Sequence, residues 1–201
     1  MSQVVHERFV AIAETLSPAL AEAFARGGPV NFRPDDSQPL AERLCRSVAG
    51  QQLSVKAAGT IWRRVVEAAG DTPLTDFLAE ADGEALRACG LSAAKCRAVG
   101  AIAEQARLGG LDTETLRELD YPERSRRLTA LWGVGQWTAD MISIFHFGDE
   151  DVWPDGDVAA RKTLIRLTSP RRKTTRTAAR FAPHRSWLAL YLWRHVDAPP
   201  L

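Results

Sequence analysis

What constrains this chain most is how its apolar residues are spaced and interrupted. They return every three or four positions almost throughout, the period of a helix with one buried face, and glycine or proline keeps cutting the pattern short. Residues 3–25 carry Val5, Phe9, Ile12, Leu16 and Leu20 in that spacing and stop at Gly27-Gly28-Pro29. A loop over 28–38 follows, in which 28–33 reads as extended. Leu40, Leu44 and Val48 define the next helix, up to Gly50, and Ser54 is placed to cap another through Ala58, Ile61, Trp62 and Val65 to Gly70. Shorter helices are expected at 74–80 after Thr72-Pro73, at 84–89 before Gly90, and at 93–107 behind Ser92. Pro122 opens a helix to Trp132, which Gly133 and Gly135 break and Trp137–Phe147 resumes. Beyond a loop at 151–156, helices are expected from 158 to the Ser169-Pro170 break, over 173–181 and over 186–195. No alternating strand, repeat or low-complexity tract is found. The expected fold class is all-α, built of many short helices.

The net charge of +1 hides an uneven distribution. Residues 158–196 hold ten Lys or Arg and no Asp or Glu, whereas the first 157 residues hold sixteen basic and twenty-four acidic ones. An acidic body with a basic end suits a polyanion binder, and equally a solvated helical face. Three cysteines, Cys45, Cys89 and Cys96, fall in no metal spacing and read as buried reduced thiols. No stretch approaches the roughly 18–20 apolar residues of a membrane span. The N-terminus lacks a secretory pattern, so a cytoplasmic, nucleoid-associated protein is expected.

The most specific segment is Leu128-Thr-Ala-Leu-Trp-Gly-Val-Gly-Gln-Trp-Thr-Ala-Asp140. One helix ends at Trp132, Gly133 and Gly135 permit positive φ in a tight reversal, and a second helix starts near Gln136. Backbone N–H groups around Gly133, Val134, Gly135 and Gln136, with the positive end of the new helix, make an anion site that is blind to sequence. An ordinary helix-turn-helix corner is the plainer alternative.

With these residues the chain resembles the helix-hairpin-helix (HhH-GPD) DNA glycosylases, and within them the bacterial 3-methyladenine DNA glycosylase II family. The shared pieces are Gly50-Gln-Gln-Leu-Ser54 with Ala57-Ala58, Cys89-Gly-Leu-Ser92 with Lys95, the hairpin, Asp151-Val-Trp-Pro-Asp-Gly-Asp157, and Pro183-His-Arg-Ser-Trp187 with Tyr191-Leu-Trp193. They cover about residues 40–195. The resemblance implies one glycosylase unit over 1–201 with two helical lobes and the active-site cleft between them. A central lobe over 40–150 would carry the hairpin at 128–140, and 1–39 plus 151–201 would form the second lobe. The mixed α/β lobe of the bacterial type has too little room in the 39 residues before Leu40.

The resemblance implies a role for Asp157, twenty residues beyond Trp137. Positive charge builds on the deoxyribose as a glycosidic bond breaks, and a nearby carboxylate stabilises it or helps water attack. The plainer reading of Asp157 is a helix N-cap, for which Asp155 competes. Bifunctional relatives carry a Schiff-base lysine where this chain has Trp137, so base removal without strand cleavage is expected. Trp137 and Trp193 match positions that line the base pocket, with Met141 one turn after Trp137; a tryptophan core is the alternative. An indole favours a base made cationic by alkylation. Base flipping leaves a hole, for which Gln52 or Leu53 is the expected wedge, against a buried Leu53 and a capping glutamine. The expected substrate is double-stranded DNA with alkylated purines, acted on by a monomer. No cofactor or iron–sulfur cluster is expected, apart from a Na+ or K+ ion on the backbone carbonyls of Thr129, Leu131 and Val134. A glycosylase for oxidised or deaminated bases and a non-catalytic DNA-binding module are the competing readings.

Overall fold

The structure, a computed structural model, describes residues 1–196. Positions 197–201 of the expected second lobe lie outside the described residues. Helices dominate and, among the described residues, no strand occurs; 28–33 is irregular. The described chain divides into two compact units, Met1–Pro34 with 143–196, and Asp35–Ile142. These divisions fall several residues before the expected ones at 39/40 and 150/151.

In the first unit the expected helix over 3–25 is two helices, α1 (Gln3–Glu14) and α2 (Pro18–Gly27). Apolar periodicity runs through both, but Pro18 has no N–H to continue the ladder and instead opens a helix at its first turn. Phe9 of α1, Phe24 of α2, Phe181 and Tyr191 form a ring cluster, with centroids 4.9 Å apart for Phe9–Phe181 and 4.5 Å for Phe24–Tyr191. His6 and the Tyr191 hydroxyl share a hydrogen bond beneath it. The rest of the unit is a π-helical turn at Ser143–Phe147, then α11 (Val158–Leu167), α12 (Thr174–Ala179) and α13 (Arg185–His195).

The second unit runs α3 (Leu40–Gly50), α4 (Val55–Ala69), α5 (Leu74–Glu80), α6 (Gly83–Ala88), α7 (Ala93–Arg107), α8 (Thr113–Arg117), α9 (Tyr121–Thr129) and α10 (Gln136–Ile142). Side-chain caps set most of these starts: Ser54, Asp82, Ser92, Asp112 and Asp120 each accept the N–H three residues on. The core is Leu44, Cys45 and Val48 of α3 with Val99, Ile102 and Ala103 of α7, all 0–1% exposed. Cys45, Cys89 and Cys96 are buried free thiols, and burial pushes each thiol's pKa upward. The short helix α8 has no counterpart in the sequence expectations, being too brief for a period to show. Helix α9 ends at Thr129 rather than Trp132; Ala130 caps it and the next residues form the turn.

Candidate active site

The two segments the sequence singles out are both helix starts. In the second unit, α9 leads through a turn closed by the Val134 N–H on the Leu131 carbonyl, 3.1 Å. Gly133 has φ +87°, and a Cβ there would lie 2.6 Å from the Ala98 side chain, so glycine is needed for both the turn and the packing on α7. Gly135 differs from expectation: its φ is not in the left-handed region, and a Cβ there would meet nothing within 4 Å. Its carbonyl accepts the Ala139 N–H, 3.1 Å, which makes it the cap position of α10. A glycine cap brings no side chain of its own to the helix's positive end.

One expected phosphate ligand, the Val134 N–H, is occupied in a way the sequence did not reveal. The Val134 N–H is taken by the turn, and its side chain is buried. The Gln136 side-chain amide turns inward, donating to Asp140 Oδ1 at 2.7 Å, Ser125 Oγ at 2.9 Å and the Tyr121 hydroxyl at 3.1 Å, and leaves its backbone N–H as the expected ligand. Tyr121 also donates to Asp140 Oδ1, 2.7 Å. Burial raises the Asp140 pKa against these hydrogen bonds and pushes the Tyr121 phenol upward. The hairpin's remaining anion donors are the backbone N–H groups of Gly133, Gly135 and Gln136.

The loop between α3 and α4 joins this hairpin. Gln51 Nε2 donates to the Gly133 carbonyl at 3.1 Å and faces Thr138 Oγ1 at 3.4 Å. Lys95 Nζ donates to the carbonyls of Ala49 and Gln51, both 2.8 Å, at the negative end of α3. A lysine in the first turn of α7 opposes that helix's own dipole, a signal that its partner lies elsewhere. Gln52 follows in the left-handed region, φ +59°, the one non-glycine residue there among those described. Gln52 and Leu53 are both exposed, Leu53 at 41%, so the buried-leucine alternative does not hold, and the cap of α4 is Ser54. Trp137 is half-buried and Met141 is buried, both on α10. A groove of about 610 Å³ along α7 and α9 is lined by Leu131 and Trp132 but by none of the expected base-pocket residues.

In the first unit the loop before α11 is stapled to the start of α13. Arg185 binds Asp151 through Nε at 2.7 Å and Nη2 at 2.9 Å, and Ser186 Oγ accepts the Val152 N–H, 2.9 Å. Burial pushes the Asp151 pKa up, but the Arg185 hydrogen bonds and charge outweigh it and hold the carboxyl below its ordinary value. Asp155 accepts from Trp153 Nε1 at 3.0 Å and from Thr174 Oγ1 at 2.8 Å, so it braces the loop. Asp157 is the N-cap of α11: Oδ1 accepts the Ala160 N–H at 2.8 Å and the Trp193 indole N–H at 2.9 Å. The carboxylate is 7% exposed. Trp193, expected to offer a stacking face to a base, is 2% exposed and stacks on Phe145, centroids 5.7 Å apart. With its ring enclosed, what it visibly does is hold Asp157. Among the described residues no group of three His, Cys, Asp or Glu is placed to hold a metal ion.

This all-helical architecture, with a glycine-started helix and a carboxylate-started one, has counterparts among known proteins. A model of the HhH-GPD superfamily of base excision DNA repair proteins matches residues 45–186, and the chain belongs to that family. DNA-3-methyladenine glycosylase 1 of Schizosaccharomyces pombe is 35% identical over 175 residues, 82% of this chain and 77% of that protein. The solved S. pombe 3-methyladenine DNA glycosylase in complex with abasic DNA superposes with a TM-score of 0.75 at 31% identity, covering 93% of this chain and 95% of the other. A DNA-3-methyladenine glycosidase of Bacillus halodurans gives a TM-score of 0.79 at 28% identity, covering 94% and 88%.

Proposed function

We propose that the protein is a monofunctional DNA glycosylase that hydrolyses the N-glycosidic bond of alkylated purines, of the 3-methyladenine and 7-methylguanine type, in base excision repair of double-stranded DNA. The observation that carries this reading is Asp157, a nearly buried carboxylate fixed by two N–H donors at a helix start. As the C–N bond lengthens, the electron pair leaves with the base and positive charge develops on the sugar, where a fixed carboxylate stabilises it. Water then adds its oxygen to the anomeric carbon, releases a proton and leaves an abasic site. An alkylated purine already carries positive charge and departs neutral, without a proton from an acid.

Trp137 is proposed as the aromatic face for a cationic base, with Met141 beside it on the same helix. Trp193 serves as a positioning residue for Asp157. Gln52 and Leu53 are the candidate wedge, and the backbone N–H groups of Gly135 and Gln136 hold a phosphate. At the position of the Schiff-base lysine of bifunctional relatives stands Trp137, which has no amine, so no strand cleavage is expected. A Na+ or K+ ion at the carbonyls of Thr129, Leu131 and Val134 fits the end of α9, where oxygens sit at the negative pole of a helix. It would add positive charge beside the phosphate, and exchanging these ions for tetramethylammonium should weaken DNA binding. Among the described residues no helix is long and apolar enough to cross a membrane, and the reading places the protein on the chromosome, as a cytoplasmic, nucleoid-associated monomer.

The test is base release from duplexes carrying single defined lesions, followed by alkali to cut at abasic sites. The expected result is faster release of 7-methylguanine than of neutral hypoxanthine, strand cleavage only after alkali, and no borohydride-trapped adduct. Faster hypoxanthine release would replace the charge argument with a hydrogen-bonding pocket, and a trapped adduct would overturn the monofunctional mechanism.

A further inference from the structure

Between Val158 and Arg180 the chain has eight Lys or Arg and no Asp or Glu. All eight are exposed, and none forms an ion pair among the described residues. The contrast with arginines elsewhere is sharp. Arg43 lies 2.7 Å from Asp35, Arg107 3.2 Å from Glu80, Arg117 2.8 Å from Asp36 and Arg127 3.2 Å from Glu123. A surface that neutralises its cations in one region and gathers them unneutralised in another carries a repulsion that folding alone does not relieve.

The densest part is Arg171, Arg172 and Lys173 on the turn between α11 and α12, with Arg176 in α12 itself. That turn is built, not slack. The Arg172 N–H bonds the Ser169 carbonyl at 3.1 Å, and the Arg171 N–H bonds Ser169 Oγ at 3.2 Å. Thr174 Oγ1 ties it to Asp155 at 2.8 Å, and Asp155 is braced in turn by Trp153. The carboxylate brought to the turn thus engages a hydroxyl and an indole and no cation. The turn is anchored to the loop that ends in Asp157.

We infer that this turn and the start of α12, bearing Arg171, Arg172, Lys173 and Arg176, form a second phosphate-contacting surface for duplex DNA, blind to sequence and lesion, carried by the same unit as Asp157. It rests on the reading that the protein acts on DNA. Hairpin N–H groups grip one phosphate through fixed dipoles; long guanidinium side chains on a braced turn engage several through charge, and each engaged phosphate releases counterions.

The test compares two triple variants of equal charge, Arg171→Gln/Arg172→Gln/Arg176→Gln and Arg26→Gln/Arg107→Gln/Arg117→Gln, the second drawn from arginines beside carboxylates. Affinity for an undamaged fluorescein-labelled duplex is read by anisotropy between about 50 and 200 mM NaCl, after thermal melts confirm folding. For the first variant the slope of log K against log salt becomes shallower by about 0.9 for each phosphate that is no longer neutralised, and the second keeps a near wild-type slope. Equal slopes for both variants, whether both unchanged or both shallower, overturn the surface. A wild-type protein that shows no salt-dependent DNA binding fails the DNA reading itself, which separates the two.

Discussion

Helices α10 and α11 begin in opposite ways. At the cap of α10 stands Gly135, with no side chain and open space where a Cβ would be. At the cap of α11 stands Asp157, whose carboxylate receives the Ala160 N–H at 2.8 Å. Both starts offer the same positive pole. In one it is left bare; in the other it holds an anion belonging to the chain. A single cap residue decides whether a helix start receives charge or presents it.

The largest effect should come from removing the presented charge while keeping the cap. In Asp157→Asn the amide oxygen can keep both hydrogen bonds to Oδ1, and asparagine caps as well as aspartate. Single-turnover base release should fall at least about a hundredfold, with DNA binding and melting temperature little changed. Full activity in this variant would refute the assignment. The reverse change gives α10 a cap like that of α11. Gly135→Asp should leave stability unchanged or raise it by a few tenths, ~0.3 kcal/mol, yet weaken binding to any duplex about tenfold or more. Undiminished affinity would show that the bare start does not meet phosphate. Trp193→Phe removes the indole donor from Asp157 and leaves the helix cap. Its rate should fall several-fold at saturating DNA with little change in affinity; a loss confined to affinity would return Trp193 to the base pocket.

Acid should separate the two neighbourhoods more gently. The folded pKa of Asp151 is lowered, so its stabilisation is complete above the ordinary 3.8 and is lost as pH falls through the folded value. The folded pKa of Asp140 is raised, so its contribution is complete below 3.8 and is lost as pH rises through the folded value. Acidification should therefore loosen the loop before α11 while the hairpin holds. Amide exchange followed below about pH 4 reads both, and equal loosening would discard the distinction.

Much of this was legible because short helices announce their ends. Ser54 and Ser92 as caps and Gly70 as a stop followed from local chemistry that packing did not override. The break at Ser17-Pro18 went unseen because an apolar period crossed it, although proline in mid-pattern was a sufficient signal. The early end of α9 at Thr129 and the ordinary backbone of Gly135 went unseen because a Gly-x-Gly pair does not say which glycine makes the turn. Asp157 was readable both as a cap and as a reacting group, and its geometry as a cap leaves the second role open. The enclosure of Trp193 and the reach of Lys95 to α3 depend on neighbours distant in sequence, which periodicity does not register.

Gln51 has a mechanical consequence. Its amide bonds the Gly133 carbonyl at 3.1 Å, while its own carbonyl is held by Lys95 at 2.8 Å. The loop bearing Gln52 and the hairpin therefore share a fastening and form one caliper, the gap between its jaws set by the fold itself. On the proposed reading, a phosphate held at the hairpin would fix the position of Gln52 along the duplex.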